Sequence, residues 1–458
     1  MNLDELKQIF SPEDITTEPS ALETYGRDWT KHFTPAPSAI VFPRKTPQVQ
    51  ELVKWARKNK VALVPSGGRT GLSAAAFATN HEVVVSFEKM NRVLDFNAID
   101  ETVTCQPGVV TEALQNYVKA QGYYFPVDFA ARGSSQIGGN VATNAGGIKV
   151  IRYGLMRNWV AGLTVVTGSG DTLSLNRGLV KNATGYDFRQ LFIGSEGTLG
   201  FITEVTLKVT RMPKDLTVFV FGVPELEAVM NIYEAFKKNF PIMAYEMFTD
   251  LALQYVTNQQ GIERPFETKT PYYVLLELEK DSEETFEKAM EIFESCSEAG
   301  WIEDAAVSQD SQQAQNLWRL REDITEATSY KQPYKNDVSV LISKVPQFLT
   351  EMTNIIEQQH PDFEVVWFGH IGDGNLHINI LKPDNLSSEE FVKRCKSVDE
   401  IMFTMIENLG GSISAEHGVG LTKKPFLQHT KSAQEIEYMR QVKRVFDPDG
   451  IMNPGKVF

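Results

Sequence analysis

Apolar positions along the chain change period several times, and each change marks an element. Behind a Thr46-Pro47 start, Val49, Leu52, Val53 and Ala56 recur at helical spacing and predict a helix. Short β-branched runs at 61–64, 83–87 and 102–105 predict strands, and 111–121 predicts a helix. Ahead of them, residues 1–45 read as a polar helix followed by the Pro-punctuated entry Thr34-Pro35-Ala36-Pro37. Alternation of strand and helix continues to about Val209.

Past Arg211-Met212-Pro213 the order of elements changes. Strand 216–223, helix 225–238 and strand 242–248 precede a loop at 257–271. Strand 272–279, helix 282–298 and strand 302–307 follow, then a long helix over 311–330. The second series is strand 338–343, helix 346–359, strands 364–368 and 376–381, helix 388–409 and strand 412–415. Each series is β-α-β-β-α-β, so this part predicts a duplicated ferredoxin-like antiparallel sheet. A last helix over 433–446 leads into a Pro/Gly-rich end at 447–456. The expectation is an α+β chain. Its expected domains are one over 1–212 and a second, carrying the duplicated sheet, over 213–429, with the tail 430–458 unlike that sheet in composition.

A chain of 458 residues exceeds one core. Its 42% hydrophobic and 23% charged residues are ordinary for a soluble globular protein. No apolar run reaches bilayer length, and the start Met-Asn-Leu-Asp-Glu-Leu has no basic leader, which predicts a cytoplasmic protein, at most peripheral at a membrane. Cys105, Cys296 and Cys395 form no metal-ligand pattern and suit a reducing compartment. A net charge of −14 argues against nucleic acid as a partner. A small anion remains compatible where local Arg and Lys override the global sign.

Three of the seven histidines lie in two short segments, Gly369-His370-Ile371-Gly372-Asp373-Gly374-Asn375-Leu376-His377 and Glu416-His417-Gly418. A Gly-Asp-Gly-Asn turn between two strands can fold His370 and His377 to one point. With Glu416 they make two nitrogens and one oxygen, a set that holds zinc or a similar divalent ion with a position open. Taken alone, His370 reads as a core histidine and Glu416-His417 as a surface turn. The hairpin decides between the readings.

Glycine-rich segments recur at Ser66–Ser73, Gly138–Gly147 and Gly194–Gly200. None has the Gly-Lys-Ser/Thr ending of a phosphate loop or a dinucleotide fingerprint after a first strand, which argues against a kinase or a nicotinamide Rossmann domain. Consecutive small residues bring main-chain N–H groups close to an anion, so a bound nucleotide cofactor is expected.

The glycine segments, together with Arg152-Tyr153-Gly154 and Gly185-Tyr186-Asp187, resemble the FAD domain of the vanillyl-alcohol oxidase/p-cresol methylhydroxylase superfamily. The histidine motifs and the ending Asn453-Pro454-Gly455-Lys456 are similar to its D-2-hydroxyacid dehydrogenase branch. That branch includes D-2-hydroxyglutarate dehydrogenases, D-lactate dehydrogenases and the glycolate oxidase flavin subunit. The resemblance implies a two-lobed FAD-binding domain over 1–212, rejoined by the tail 430–458, and a substrate- and metal-binding cap over 213–429. It implies an FAD pyrophosphate cradle at Ser66, Gly67, Gly68, Arg69, Thr70, Gly71 and Leu72. It implies a flavin wall including Gly138, Gly139, Asn140, Thr143, Asn144, Gly146 and Gly147. Glu196, Gly197, Gly200 and Ile202 go to the adenine half, and Pro107, Gly108 and Asn453 complete the cofactor set. The first cradle has no histidine or cysteine, so noncovalent FAD is expected.

Oxidising an alcohol removes a proton and a hydride. Flavin accepts the hydride, a divalent ion on the oxygen eases loss of the proton, and the protein supplies the base. His370, His377 and Glu416 are the expected ligands. His417 is the expected base, because its intrinsic pKa suits that task. The resemblance carries substrate binding onto Arg321, Thr325, Lys335 and Asn379, with His417. Plain alternatives are a helix salt bridge for Arg321 and a loop charge for Lys335. The leading reading is oxidation of D-2-hydroxyglutarate, ahead of D-lactate. Electrons would leave to an external acceptor, an electron-transfer flavoprotein or a quinone, and a homodimer is compatible. The competing readings are a flavin subunit of a larger electron-transfer complex and a metal-only hydrolase or oxygenase.

Overall fold

The computed structural model describes residues 4–30 and 33–458. They form two compact units. The first holds the described residues of Met1–Gly147, Gly154–Met212 and Glu416–Phe458; the second holds Ile148–Tyr153 and Pro213–Ala415.

In the first unit, β1 (Ala39–Val41), α1 (Thr46–Asn59), β2 (Leu63–Ser66) and β3 (Val83–Ser86) make a parallel layer in which β3 is central. A two-residue strand at Ile15–Thr16 adds antiparallel to β1. The apolar stripe of α1 is fully buried at Val49, Leu52, Val53 and Ala56. Burying each such aliphatic side chain is worth about 1.5–3 kcal/mol. The left-handed Lys60 ends the helix, its N–H donating back to Ala56 and Arg57 carbonyls. Described residues before β1 form two 3₁₀ turns and a helix at Pro19–Tyr25, where the sequence suggested one polar helix. Pro12 and Pro19 explain the break: each starts a new turn and cannot lie inside a helix.

The rest of the first unit departs from simple alternation. Strands β4 (Val93–Asn97), β5 (Thr102–Cys105), β6 (Val160–Thr167), β7 (Thr172–Leu175) and β8 (Gly200–Lys208) form an antiparallel sheet in the order β4-β5-β8-β6-β7. Between β5 and β6 come α2 (Thr111–Ala120) and the short α3 (Ile137–Thr143). The chain's end returns to the parallel layer, where Leu63 N–H donates to Ile451 O and Asn453 N–H to Leu63 O.

The second unit is one seven-stranded sheet. Its first half contains β9 (Asp215–Val223), α4 (Leu226–Lys237), β10 (Ala244–Thr249), α5 (Asp250–Gln260), β11 (Tyr272–Lys280), α6 (Glu283–Glu298) and β12 (Asp304–Val307). After α7 (Ser311–Glu322), the second half contains β13 (Tyr334–Ser339), α8 (Val345–Gln359), β14 (Glu364–Gly369), β15 (Asn375–Leu381) and α9 (Ser388–Asn408). The order β12-β9-β11-β10-β14-β15-β13 places the two ferredoxin-like halves side by side, joined where Phe248 of β10 faces Phe368 of β14. The α+β class with a duplicated cap sheet is therefore the observed architecture. The last helix, α10 (Ala433–Phe446), belongs to the first unit.

Four local expectations need correction. The strand expected at 412–415 is reduced to a single bridge between Ser412 and Ser339, because Gly410 and Gly411 turn the chain at the sheet edge. The helix expected over 311–330 stops at Glu322; Asp323 caps it, and only a turn at Ile324–Ala327 follows. A helix, α5, lies directly after β10, burying Ala252, Leu253 and Val256 just before the expected loop. Lys335, read as a loop residue, is on β13 and pairs in register with Asn379 of β15.

The second unit ends at Ala415 rather than at 429. Residues 419–422 are hydrogen-bonded inside the first unit instead. Val419 and Gly420 donate to the Glu196 carboxylate, and Leu421 and Thr422 donate to Ser73 O.

Candidate functional site

In the second unit, Glu246, Glu277, Phe368, His377 and Asn379 follow the alternation of their strands onto one face, with α7 packed over it. β14 delivers His370 at its end, and a turn at Ile371–Asp373 closes through the left-handed Gly374 into β15, which presents His377. The hairpin brings the two imidazoles together, with ring centroids 5.2 Å apart and planes at 83°. A ring nitrogen of one lies within 4.8 Å of a ring nitrogen of the other.

Each ring is oriented from behind. His370 Nδ1 is 2.8 Å from Oε1 of Glu246, a buried carboxylate on β10. Arg321 of α7 places Nε 2.9 Å from the other oxygen, an ion pair without hydrogen-bond alignment, and its guanidinium lies 4.7 Å over the Phe368 ring. Burial pushes the Glu246 carboxyl up, but His370 and Arg321 outweigh it and hold it below the usual carboxylate range. His377 stacks on Phe368 at 4.9 Å, with Nδ1 3.6 Å from Asp337, which faces it across the strands. A carboxylate behind a histidine fixes the tautomer and leaves Nε2 as the ligand atom. The donor set therefore fits a divalent ion.

The other expected substrate residues divide. Asn379 is buried, and its amide Nδ2 has no hydrogen-bond partner among the described residues. Arg321 is buried on α7, whereas Thr325 is exposed on the turn beyond the helix break, so the two do not share one helix face. Lys335 is exposed on β13. Sequence reasoning missed Glu246 and Asp337. Glu246 stands in a strand otherwise of Ala, Tyr, Met, Phe and Thr, whereas Asp337 has polar neighbours in Lys335 and Asn336 and shows no such contrast.

In the first unit a cleft gathers Gly67, Pro107, Gly138, Gly139, Thr143, Glu196, Gly197, Gly200 and Ile202 from the expected cofactor set. Ala142 and Ser195, from the same glycine-rich segments, and Pro65, beside one of them, line it too, and Ala75, Ala76, Phe87, Gln136 and Phe201 complete the wall and were not foreseen. A Cβ on Gly139 would meet nothing within 4 Å, and one on Gly67 nothing closer than 3.7 Å, so these glycines leave room beside bare main chain. Ser66 Oγ, Ser73 Oγ and Gln136 Oε1 are buried without hydrogen-bond partners among the described residues. Open main chain beside unspent polar atoms fits a nucleotide cofactor.

Other members of the expected set have structural tasks or lie at the margin. Gly68 backs against Ser134 and Ser135, and Gly108 against Phe87 and Met90. Asn140 donates to Thr111, Asn144 accepts from the Arg157 N–H, and Asn453 donates to Ala75 O and Glu196 O. Gly146 faces Glu416 Oε1, and Gly147 lies close to Asp128 O. Arg69 lies over the Tyr25 ring at 4.4 Å, Thr70 is half-buried, and Gly71 and Leu72 are exposed. Glu416 and His417 are half-buried at the start of the return segment.

Glu196 holds that segment. Its buried carboxylate accepts Val419 N–H at 2.7 Å and Gly420 N–H at 2.8 Å. Gly418, with φ +78°, is pressed so close to this carboxylate that a Cβ would lie 2.7 Å from Oε1.

Residues 37–176 match the family profile of an FAD binding domain, and residues 212–457 that of the C-terminal domain of FAD linked oxidases. The chain belongs to the FAD-linked oxidases. Within this family it is an FAD-dependent dehydrogenase, and the branch named from its motifs stands. It is 57% identical over 456 residues to the D-2-hydroxyglutarate dehydrogenase of Stutzerimonas stutzeri (strain A1501), covering 100% of this chain and 98% of that one. It is 34% identical over 451 residues to the mitochondrial D-2-hydroxyglutarate dehydrogenase of Bos taurus, covering 97% and 81%. A solved structure of p-cresol methylhydroxylase with substrate bound shares the fold at a TM-score of 0.77 and 15% identity, over 99% of this FAD-linked oxidase and 96% of that chain. Among the described residues of this FAD-linked oxidase, no helix is long and apolar enough to cross a membrane.

Proposed function

We propose that this FAD-linked oxidase oxidises D-2-hydroxyglutarate to the 2-oxoacid, using noncovalent FAD and a divalent metal ion, zinc by its donor set. The observation that carries the metal half is the His370–His377 pair with Glu246 behind the first ring. Glu416, one peptide bond beyond the second unit, is the third ligand in this reading. The substrate half is supported by relatives of that name matching essentially the whole chain at 57% and 52% identity.

When bound, the flavin accepts the C2 hydride and the divalent ion makes the alcohol proton easier to remove. His417 takes that proton. Arg321 and the Asn379 amide read one carboxylate, and Lys335 the second. Thr325 stays in the proposed set, now from a turn rather than a helix face. His370 and His377 would hold the divalent ion, which would orient the hydroxyl oxygen. A separate carrier, an electron-transfer flavoprotein or a quinone, reoxidises the cofactor. D-lactate is the second-ranked substrate, and the flavin subunit of a larger complex is the alternative assembly.

Anaerobic mixing of the yellow protein with a panel of D- and L-2-hydroxyacids tests the reading. D-2-hydroxyglutarate is expected to bleach the flavin fastest, chelation to suppress bleaching and zinc to restore it. Bleaching by an L-acid first, or indifference to chelator in protein shown to lack metal, rejects it. His417→Ala is expected to keep flavin and metal while losing substrate-driven bleaching.

A further inference from the structure

Ile148–Tyr153 belongs to the second unit, although the chain on either side of it belongs to the first. Six residues thus leave the glycine-rich segment at Gly147, dock on the sheet that carries His370 and His377, and go back at Gly154. Ile148 packs against the core of that unit, and two further contacts matter for the site. Buried Lys149 pairs its ammonium with buried Glu277 of β11 and lies 4.8 Å over the Trp318 ring. Trp318 Nε1 donates to the other Glu277 oxygen at 2.8 Å. The second contact is at Gly372, in the turn between the two imidazoles, where an added Cβ would collide with Ile151 Cδ1.

The Gly372 contact lies in the turn between the histidines, and the Lys149 contact is on the strand next to the one that carries Glu246. Glu277 faces Ala244, two residues along β10 from Glu246, so two buried carboxylates sit on neighbouring strands of one face. Each has its own cation, Lys149 for Glu277 and Arg321 for Glu246. Trp318 and Arg321 are one turn apart on α7. A group buried this deeply is costly to leave unpaired, so the sequence retains Lys149 here for a position, not for solubility.

We propose that Ile148–Tyr153 is a strap, and that Lys149 on Glu277 and Ile151 on Gly372 are positioning contacts that set where His370 and His377 meet. The strap rests on the metal reading above. It adds that the peptide following the flavin-wall glycines determines the spacing of the metal-binding hairpin.

The test is a compensation experiment on the FAD-loaded full chain without substrate, reading zinc affinity by chelator competition. Gly372→Ala drives a methyl into Ile151 and is expected to weaken zinc by about tenfold or more, the effect typical of groups that orient ligands, with flavin content unchanged. Adding Ile151→Ala opens the space and is expected to recover most of that loss. The remaining neighbour, Tyr245 Cβ at 3.0 Å, needs only a small shift. Ile151→Ala alone, which opens a gap instead of closing one, is expected to weaken zinc a few-fold; it serves if Gly372→Ala does not fold. Equal loss in the single and double variants, or unchanged zinc in Ile151→Ala, overturns the strap. Should the unaltered protein bind no divalent ion, the metal reading fails by itself. The strap is then judged from the ring NMR signals of His370 and His377, which must shift in Gly372→Ala and return in the double variant.

Discussion

Glu246 is one acid in a strand otherwise made of Ala244, Tyr245, Met247, Phe248 and Thr249, and nothing in that local pattern assigns it a task. Its importance comes from β14 lying next to β10, a non-local pairing that periodicity cannot supply. The same holds for Asp337, which meets His377 only through the β13–β15 register. His370 and His377 were legible because their turn is local: glycine and asparagine at the bend announce a hairpin. Glu246→Gln keeps the volume and removes the charge behind His370. It is expected to lower metal affinity about 10- to 100-fold with flavin content unchanged, measured by chelator competition. A variant that binds metal as tightly as the parent removes Glu246 from this task.

At the scale of elements, most of the order in the cap was readable because amphipathic helices and β-branched strands alternate cleanly there. What failed were the edges. Helix α5 was missed because its Asn and Thr residues weaken the helical pattern, and burial against β10 stabilises it instead. The strand at 412–415 failed because edge pairing ends after one bridge. The hairpin turn depends on Gly374, which has φ +85° and packs against Val340 O. Gly374→Ala is expected to destabilise the protein by about 2 kcal/mol or more, from backbone strain and collision together. Denaturant unfolding reads this, and a midpoint equal to the parent's would show that the turn relaxes freely. Zinc affinity should fall in the same variant, because the turn separates the two rings.

For the whole molecule, the cofactor domain was legible in its glycine segments but not in their individual duties. Gly67 and Gly139 border open space, while Gly68, Gly108 and Gly197 are glycines because neighbouring atoms leave no room for a side chain. A sequence shows both kinds alike. Glu196 carries a consequence measurable on the whole protein. Burial pushes its carboxyl up from 4.5 to about 7, opposed by the Val419 and Gly420 N–H groups and aided by Asp28. Between those pH values the folded chain keeps a proton that the unfolded chain has released. The contribution of this group is therefore present in full below 4.5 and lost as pH rises through about 7. Glu196→Gln is expected to flatten that part of the stability profile, read as urea midpoints at about pH 5 and 8. Parallel profiles for parent and variant would show that the carboxyl does not titrate there.

The return of Glu416–Phe458 to the first unit has a consequence for synthesis on the ribosome. Leu63 is made early, yet its partners Ile451 and Asn453 emerge only after the entire cap has been translated. Until then the nascent parallel layer has an unzipped border, which is the period when a chaperone would find something to hold.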